Sequence, residues 1–273
     1  MEGKFFPFSE IRVSPPSFVW FPAERMDFFH FGPDSLFGSY NAPVSGGDPH
    51  AVAVLCYPFG QEYMRAHRAY RQLSSLVSRF GLPVLRFDYF GTGDSPGRGT
   101  ETTLERWVEN IGAAVTEARR RSGAQEVRLA GLRLGAAAGA LAAQELADSI
   151  QRMVLWDPVI RGSAFLEELM EDGVTRDGST WWSNGFPLSQ PLRREIAEVD
   201  LCRVVLPPKM EVFQTISHEK EEFQTFSDSL RFMSVREETR HIPSPADWNY
   251  SDDVGGILLP REMVRGIVDL LVA

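Results

Sequence analysis

Two glycines four residues apart, set between an apolar run and a run of alanines, constrain this chain more than any other feature. The segment reads Val127-Arg128-Leu129-Ala130-Gly131-Leu132-Arg133-Leu134-Gly135-Ala136-Ala137-Ala138. The apolar run has the length and character of a buried strand, and the small residues that follow suit a helix. Gly131 and Gly135 would let the backbone turn sharply between the two and let the helix lie close against its sheet. Such a strand–turn–helix unit displays one side chain at the tip of the turn. Here that side chain is Arg133.

The flanking sequence supplies the elements such a unit needs. Residues 26–31 and 35–40 are strand-like and flank the turn signal Gly32-Pro33-Asp34, and 41–49 is a loop. Residues 51–56 form a continuous apolar run, as a strand covered on both faces should. The segment 63–80 carries Leu73, Leu76, Val77 and Phe80 at helical spacing, with Gly81 placed as its C-terminal cap. A strand at 83–88 and a tight loop at 91–97 follow. Thr102 and Glu105 read as a capping box ahead of an amphipathic helix through Leu104, Trp107, Val108, Ile111, Val115 and Ala118. Arg119-Arg120-Arg121 falls at that helix's end, where cations meet the negative end of the dipole. The helix after the turn should reach about residue 147, with another strand at 153–158.

Strands alternating with helices predict a mostly parallel sheet covered on both faces. Past residue 160 the alternation breaks. A helical stretch at 165–170 and the aromatic, turn-rich 181–187 read as a cap inserted over 161–203. Regular structure resumes at 210–216 and 230–235, and a helix closes the chain near 261–272. The expected organisation is an irregular Pro- and Phe-rich arm at 1–24, an α/β core at 25–160, the cap at 161–203, and the rest of the core at 204–273.

Composition excludes several classes of function. Asp and Glu outnumber Lys and Arg by 37 to 28, a net charge of -9, which argues against a nucleic-acid partner. No apolar run approaches the roughly 18 residues of a membrane span. Cys56 and Cys202 are far apart and suggest no disulfide framework. The five histidines (His30, His50, His67, His218 and His241) lack paired metal-ligand spacing, so no metal site is expected, and nothing calls for a cofactor. The first seven residues lack a signal-peptide layout, and a cytoplasmic location is expected.

Five segments taken together resemble the α/β-hydrolase superfamily, and within it the serine-aminopeptidase-like and exosortase-system-associated hydrolases. They are Tyr57-Pro58-Phe59-Gly60-Gln61-Glu62, Leu85 through Ser95, Gly131 to Gly135, Leu155-Trp156-Asp157-Pro158, and Gly185-Phe186-Pro187-Leu188-Ser189. The resemblance implies an α/β-hydrolase fold, a mostly parallel central sheet with helices on both faces and an inserted cap. It makes the Gly-x-x-x-Gly turn a nucleophile elbow, in which Arg133 occupies the place of the attacking serine. Phe59, Gly60 and Leu134 match positions whose backbone N–H groups would form an oxyanion hole. Asp157 is a candidate for the family's acid. His241 stands at the start of the loop where its histidine is expected, with Trp248 where a histidine would be looked for.

Guanidinium is neither a nucleophile nor a usable base. At the start of a helix it also meets the positive end of the dipole. Something anionic should therefore face Arg133, with Glu62 the first candidate and Asp157 the second. One outcome is a satisfied internal ion pair. The other is a site where Arg133 binds a carboxylate, phosphate or oxyanion and Glu62 acts as acid and base. Tyr57, Trp181, Trp182 and Trp248 would line a binding surface for a small-molecule or carrier-bound acyl substrate. Cys56 ends an apolar strand and reads as core, and Ser95 reads as a turn residue.

Three functions follow, in this order. The first is an enzyme acting on an acyl substrate by acid/base and electrostatic catalysis without serine. The second is a non-catalytic binding or scaffold protein, and the third a hydrolase with a relocated nucleophile. Arg133→Ser alone is expected to give no working esterase, because no partner histidine is evident. Robust ester turnover by that variant would overturn this reading.

Overall fold

In the computed structural model, which describes residues 26–44, 50–245, 248 and 260–273, the Gly-x-x-x-Gly segment joins a buried strand to a buried helix. Strands β1 (Met26–Phe31) and β2 (Leu36–Asn41) form an antiparallel hairpin. Then β3 (Ala51–Cys56), α1 (Gly60–Arg79), β4 (Val84–Phe87), α2 (Leu104–Ser122), β5 (Glu126–Leu132), α3 (Leu134–Glu145) and β6 (Ile150–Trp156) alternate as expected. All six residues of β3 are buried, which is why its sequence is uninterrupted hydrophobic.

Between β6 and the next core strand the chain makes an excursion. It comprises α4 (Gly162–Glu171), an antiparallel sheet of β7 (Val174–Asp177), β8 (Thr180–Ser183) and β9 (Phe186–Leu188), and α5 (Gln190–Ala197). The core resumes with β10 (Glu211–Ile216), α6 (Glu221–Phe232), β11 (Arg236–His241) and α7 (Arg261–Val272). The main sheet has eight strands in the order β1-β2-β4-β3-β5-β6-β10-β11, and every pairing from β4 onward is parallel. Helices α1 and α7 pack together on one face, and α2 and α3 on the other.

Two sequence expectations need correction. The cap of α2 is Thr103, whose hydroxyl accepts from Arg106 N–H, while Thr102 instead donates to the Phe90 carbonyl. The N–H groups of Leu104 and Glu105 are met by Glu195 of α5, at 2.7 and 3.1 Å, so the excursion completes this helix start. The last core strand is 236–241, while 230–235 is the end of α6 and a turn. Its sequence, Arg-Glu-Glu-Thr-Arg-His, lacks an apolar run because β11 is a charged, exposed edge strand. The expected arm at 1–24 lies outside the described residues.

The two glycines are required by contact. A Cβ on Gly131 would stand 2.7 Å from the backbone of Ala136, and one on Gly135 would stand 2.2 Å from the Tyr57 carbonyl oxygen. Helix α3 thus lies against the ends of β3 and β5 with no room for a side chain. Gly135→Ala is expected to lower the free energy of unfolding by about 1–3 kcal/mol or more, since backbone must shift to admit the methyl. Urea denaturation checks this, and an unchanged midpoint would show that the approach is not tight.

Candidate active site

Arg133 sits between β5 and α3 at φ 52° and ψ -120°, a conformation that L side chains rarely adopt. Such backbone costs about 1–3 kcal/mol and persists only where its surroundings enforce it. They do so here. Arg133 N–H donates to the Trp156 carbonyl at 3.0 Å, and its own carbonyl accepts from Ala136, Ala137 and Val159. The elbow is tied to β6 on one side and to its own helix on the other.

The side chain turns inward, 7% exposed. Its Nε donates to Glu62 Oε1 at 2.9 Å, and its Nη2 to Glu168 Oε2 at 2.5 Å. Glu62 comes from the first turn of α1, where the helix dipole favours a carboxylate, and it is 1% exposed. Glu168 comes from α4 in the excursion and is 44% exposed. The Phe165 ring lies 5.4 Å from the guanidinium carbon. Three separate elements therefore close on one cation.

Two carboxylates share that one positive charge, and the electrostatics follow. Burial, with smaller contributions from Glu168 and Asp157, pushes the Glu62 carboxyl up to about 7 against the opposing pull of Arg133. Burial also works against the Arg133 charge, but Glu62 and Glu168 outweigh it and hold the guanidinium above its ordinary value. Glu62 Oε2 has no hydrogen-bond partner, so the ionised form carries an unmatched acceptor and the protonated form an unmatched O–H donor.

The other expected residues are dispersed. Asp157, also at positive φ, directly follows β6, and its carboxylate accepts from Ser217 N–H at 2.7 Å and Ser217 Oγ at 2.9 Å. Ser217 Oγ lies 2.9 Å from His218 Nδ1. His241 ends β11 and faces Glu219 at 3.7 Å; among the described residues no hydrogen bond or ion pair joins it to Arg133, Glu62 or Asp157. Tyr57 is buried in an aromatic stack with Tyr70. Trp181 lies between the guanidinium groups of Arg176 and Arg193, Trp182 pairs with Pro187 in the small sheet, and Trp248 packs edge-on against Trp156.

Phe59 and Gly60 open α1, Leu134 is the first residue of α3, and Phe186 covers Gly60. An apolar cavity of about 170 Å³ lies there, lined by Phe59, Gly60, Thr92, Phe186 and Pro187. A more polar cleft of about 360 Å³ opens beside Arg133, Phe165, Glu168 and Lys220. Burial pushes the Cys56 thiol up to about 12, and Ser95 is bonded to the Asp88 carbonyl and the Phe37 N–H. No cluster of metal-ligating side chains occurs among the described residues, and none of their helices is long and apolar enough to cross a membrane.

Glu168 and Ser217 did not stand out in the sequence. Glu168 could have been found from α4 alone, because Phe165 and Leu169 are its buried face and Glu168 adjoins both.

Residues 47–200 match the family model described as serine aminopeptidase, S33. No protein of curated function matches the chain by sequence. Among solved structures, Est1E from Butyrivibrio proteoclasticus, in a complex with ferulic acid, superposes with a TM-score of 0.64 at 16% identity. It covers 90% of this chain and 100% of its own. An esterase from the fungus Rhizomucor miehei gives 0.61 at 14% identity over 93% of this chain and 83% of its own. A serine hydrolase without a lid from Xanthomonas campestris gives 0.54 at 17% identity over 80% and 83%. These likenesses establish the α/β-hydrolase fold.

The shifted Glu62 carboxyl gives a test. Folded, it holds its proton up to about 7; unfolded, it releases it near its ordinary 4.5. The stability this contributes is present below about 4.5 and is lost as pH rises through about 7. Between pH 5 and 8 the unmodified protein should lose stability relative to Glu62→Gln, by on the order of 1–3 kcal/mol. A difference between the two that does not change with pH would contradict the assignment.

Proposed function

The chain belongs to the serine aminopeptidase S33 family of hydrolases, and we propose that it is a member in which Arg133 stands where the attacking serine would be. On this reading it engages a small acyl-type molecule without a covalent intermediate. The double neutralisation of Arg133 by Glu62 and Glu168 carries the reading. A guanidinium has no nucleophilic lone pair to offer, and one already satisfied by two carboxylates has little affinity to spare for a third anion. The contact from α4 also holds the excursion against the elbow, so a ligand that takes the Nη2 position of Arg133 must displace Glu168. The apolar cavity beside Phe59 and Gly60 favours an uncharged acyl portion as the part of the ligand that is bound.

A second reading rests on Glu62. A buried carboxyl titrating at about 7, with one oxygen unpartnered, suits general acid/base catalysis at neutral pH, and Arg133 would stabilise developing negative charge. Neither of the two nucleophiles weighed in the sequence suits the role of a relocated nucleophile: Cys56 is buried with a raised thiol pKa, and Ser95 is held by the backbone.

Acyl esters and acyl thioesters, tracked by product mass alongside a serine-directed fluorophosphonate probe, separate these readings. The unmodified protein is expected to release no product and take up no probe. Product lost in both Arg133→Ala and Glu62→Ala, with circular dichroism unchanged, would establish the second reading instead. A covalent adduct would sink both.

A further inference from the structure

A second cavity, of about 240 Å³, lies on the hairpin side of the molecule beyond Tyr57. Phe28, Phe37, Ser39, Tyr63, His67 and Arg86 are among its lining residues. Arg86 lies on β4 and is 6% exposed. Its Nη1 donates to the Tyr57 hydroxyl at 3.0 Å, and its Nη2 to the weakly accepting Met26 sulfur at 3.7 Å. Its Nε has no partner. Among the described residues no carboxylate lies within 4.0 Å of this guanidinium.

Among the described residues Arg133 is the other buried arginine, and it is neutralised. Arg133 and Arg152 are also largely buried, and each holds a carboxylate, Arg152 gripping Glu211 through Nε and Nη2. Arg106 grips Asp34 through the same edge, at 3.0 and 2.5 Å. On Arg86 this edge carries only the sulfur contact. Burying an unpaired charge is strongly unfavourable, and buried charges are as a rule paired. The carboxylates that share the cavity leave Arg86 unpaired: Asp88 accepts from Tyr63 Oη and Asp94 N–H, and Asp94 is exposed, as is Arg71 of the same lining.

We propose that this cavity binds a small organic anion, with the Nε–Nη2 edge of Arg86 taking a carboxylate and the aromatic wall taking a flat apolar body. Phe28 and Phe37 stack at 5.9 Å and 14° to form that wall, and His67 lies parallel to Tyr57 at 6.2 Å. Ligand pockets commonly run from about 300 to 1,000 Å³, so a space of this size admits little more than one ring with its carboxylate. An aromatic carboxylate fits the size, the charge and the wall together. Arg86, unlike Arg133, has no internal carboxylate to displace.

Titration calorimetry on the full chain at pH 7, with benzoate as probe and benzyl alcohol as its neutral counterpart, tests this. Benzoate should bind saturably and at least tenfold more tightly than benzyl alcohol. Arg86→Met should weaken it tenfold or more, and Phe28→Ala at least threefold, while Glu168→Gln leaves it unchanged. Phe28 is 60% exposed, so its removal spares the fold and decides the matter if Arg86→Met does not fold. Absence of saturable benzoate binding, equal binding of the alcohol, or unchanged affinity in Phe28→Ala would overturn the proposal. Binding that depends on Glu168 and not on Arg86 would place the anion at the elbow and overturn it too.

Discussion

A guanidinium taken out of water must find its compensation inside the protein, and around Arg133 that requirement organises three otherwise independent elements. Helix α1 supplies Glu62 from its first turn, β5 and α3 supply the turn that carries the arginine, and α4 supplies Glu168. Removing Arg133 would leave the buried Glu62 carboxylate without its counterpart, which is far more damaging than the net worth of the pair. The cluster is therefore best understood as a tie between the sheet and the excursion. Glu195 makes a second tie by meeting the first N–H groups of α2.

The turn that carries Arg133 is held in a rarely populated backbone conformation. Its cause lies in the backbone: Gly131 and Gly135 bring α3 against β3 and β5, and the Arg133 N–H is bonded to Trp156. Those contacts are made by glycine and backbone atoms and not by the Arg133 side chain. The fold alone does not fix function, which must be argued from the side chains present. Here one guanidinium is shared by two carboxylates, and one oxygen of Glu62 is without a hydrogen-bond partner.

Much of the architecture was legible in the chain because it rests on local pattern. The unbroken apolar run of β3 required cover on both faces, and the paired glycines required close approach; both hold. Glu62 was legible as the partner of Arg133 because the loop after β3 and the turn after β5 lie side by side in this sheet order. What stayed hidden depends on long-range geometry. Glu168 lies 35 residues from Arg133, and Glu195 lies 91 from the N–H group it accepts. Strand β11 was missed because an exposed edge strand has no apolar signature. The isolation of Arg86 is a property of distances that no spacing in the sequence encodes.

The central claim is that Arg133 and Glu62 are energetically coupled inside the folded protein, and a double-mutant cycle measures that directly. Arg133→Met, Glu62→Gln and the double variant would be compared by urea unfolding at pH 8, where the unmodified carboxyl is ionised. The expected coupling is on the order of 1–3 kcal/mol, because the attraction between the Arg133 cation and the Glu62 carboxylate exists in the unmodified protein and in none of the variants. Additive effects, with no coupling beyond error, would mean that the pair does not hold the site together and would contradict the account.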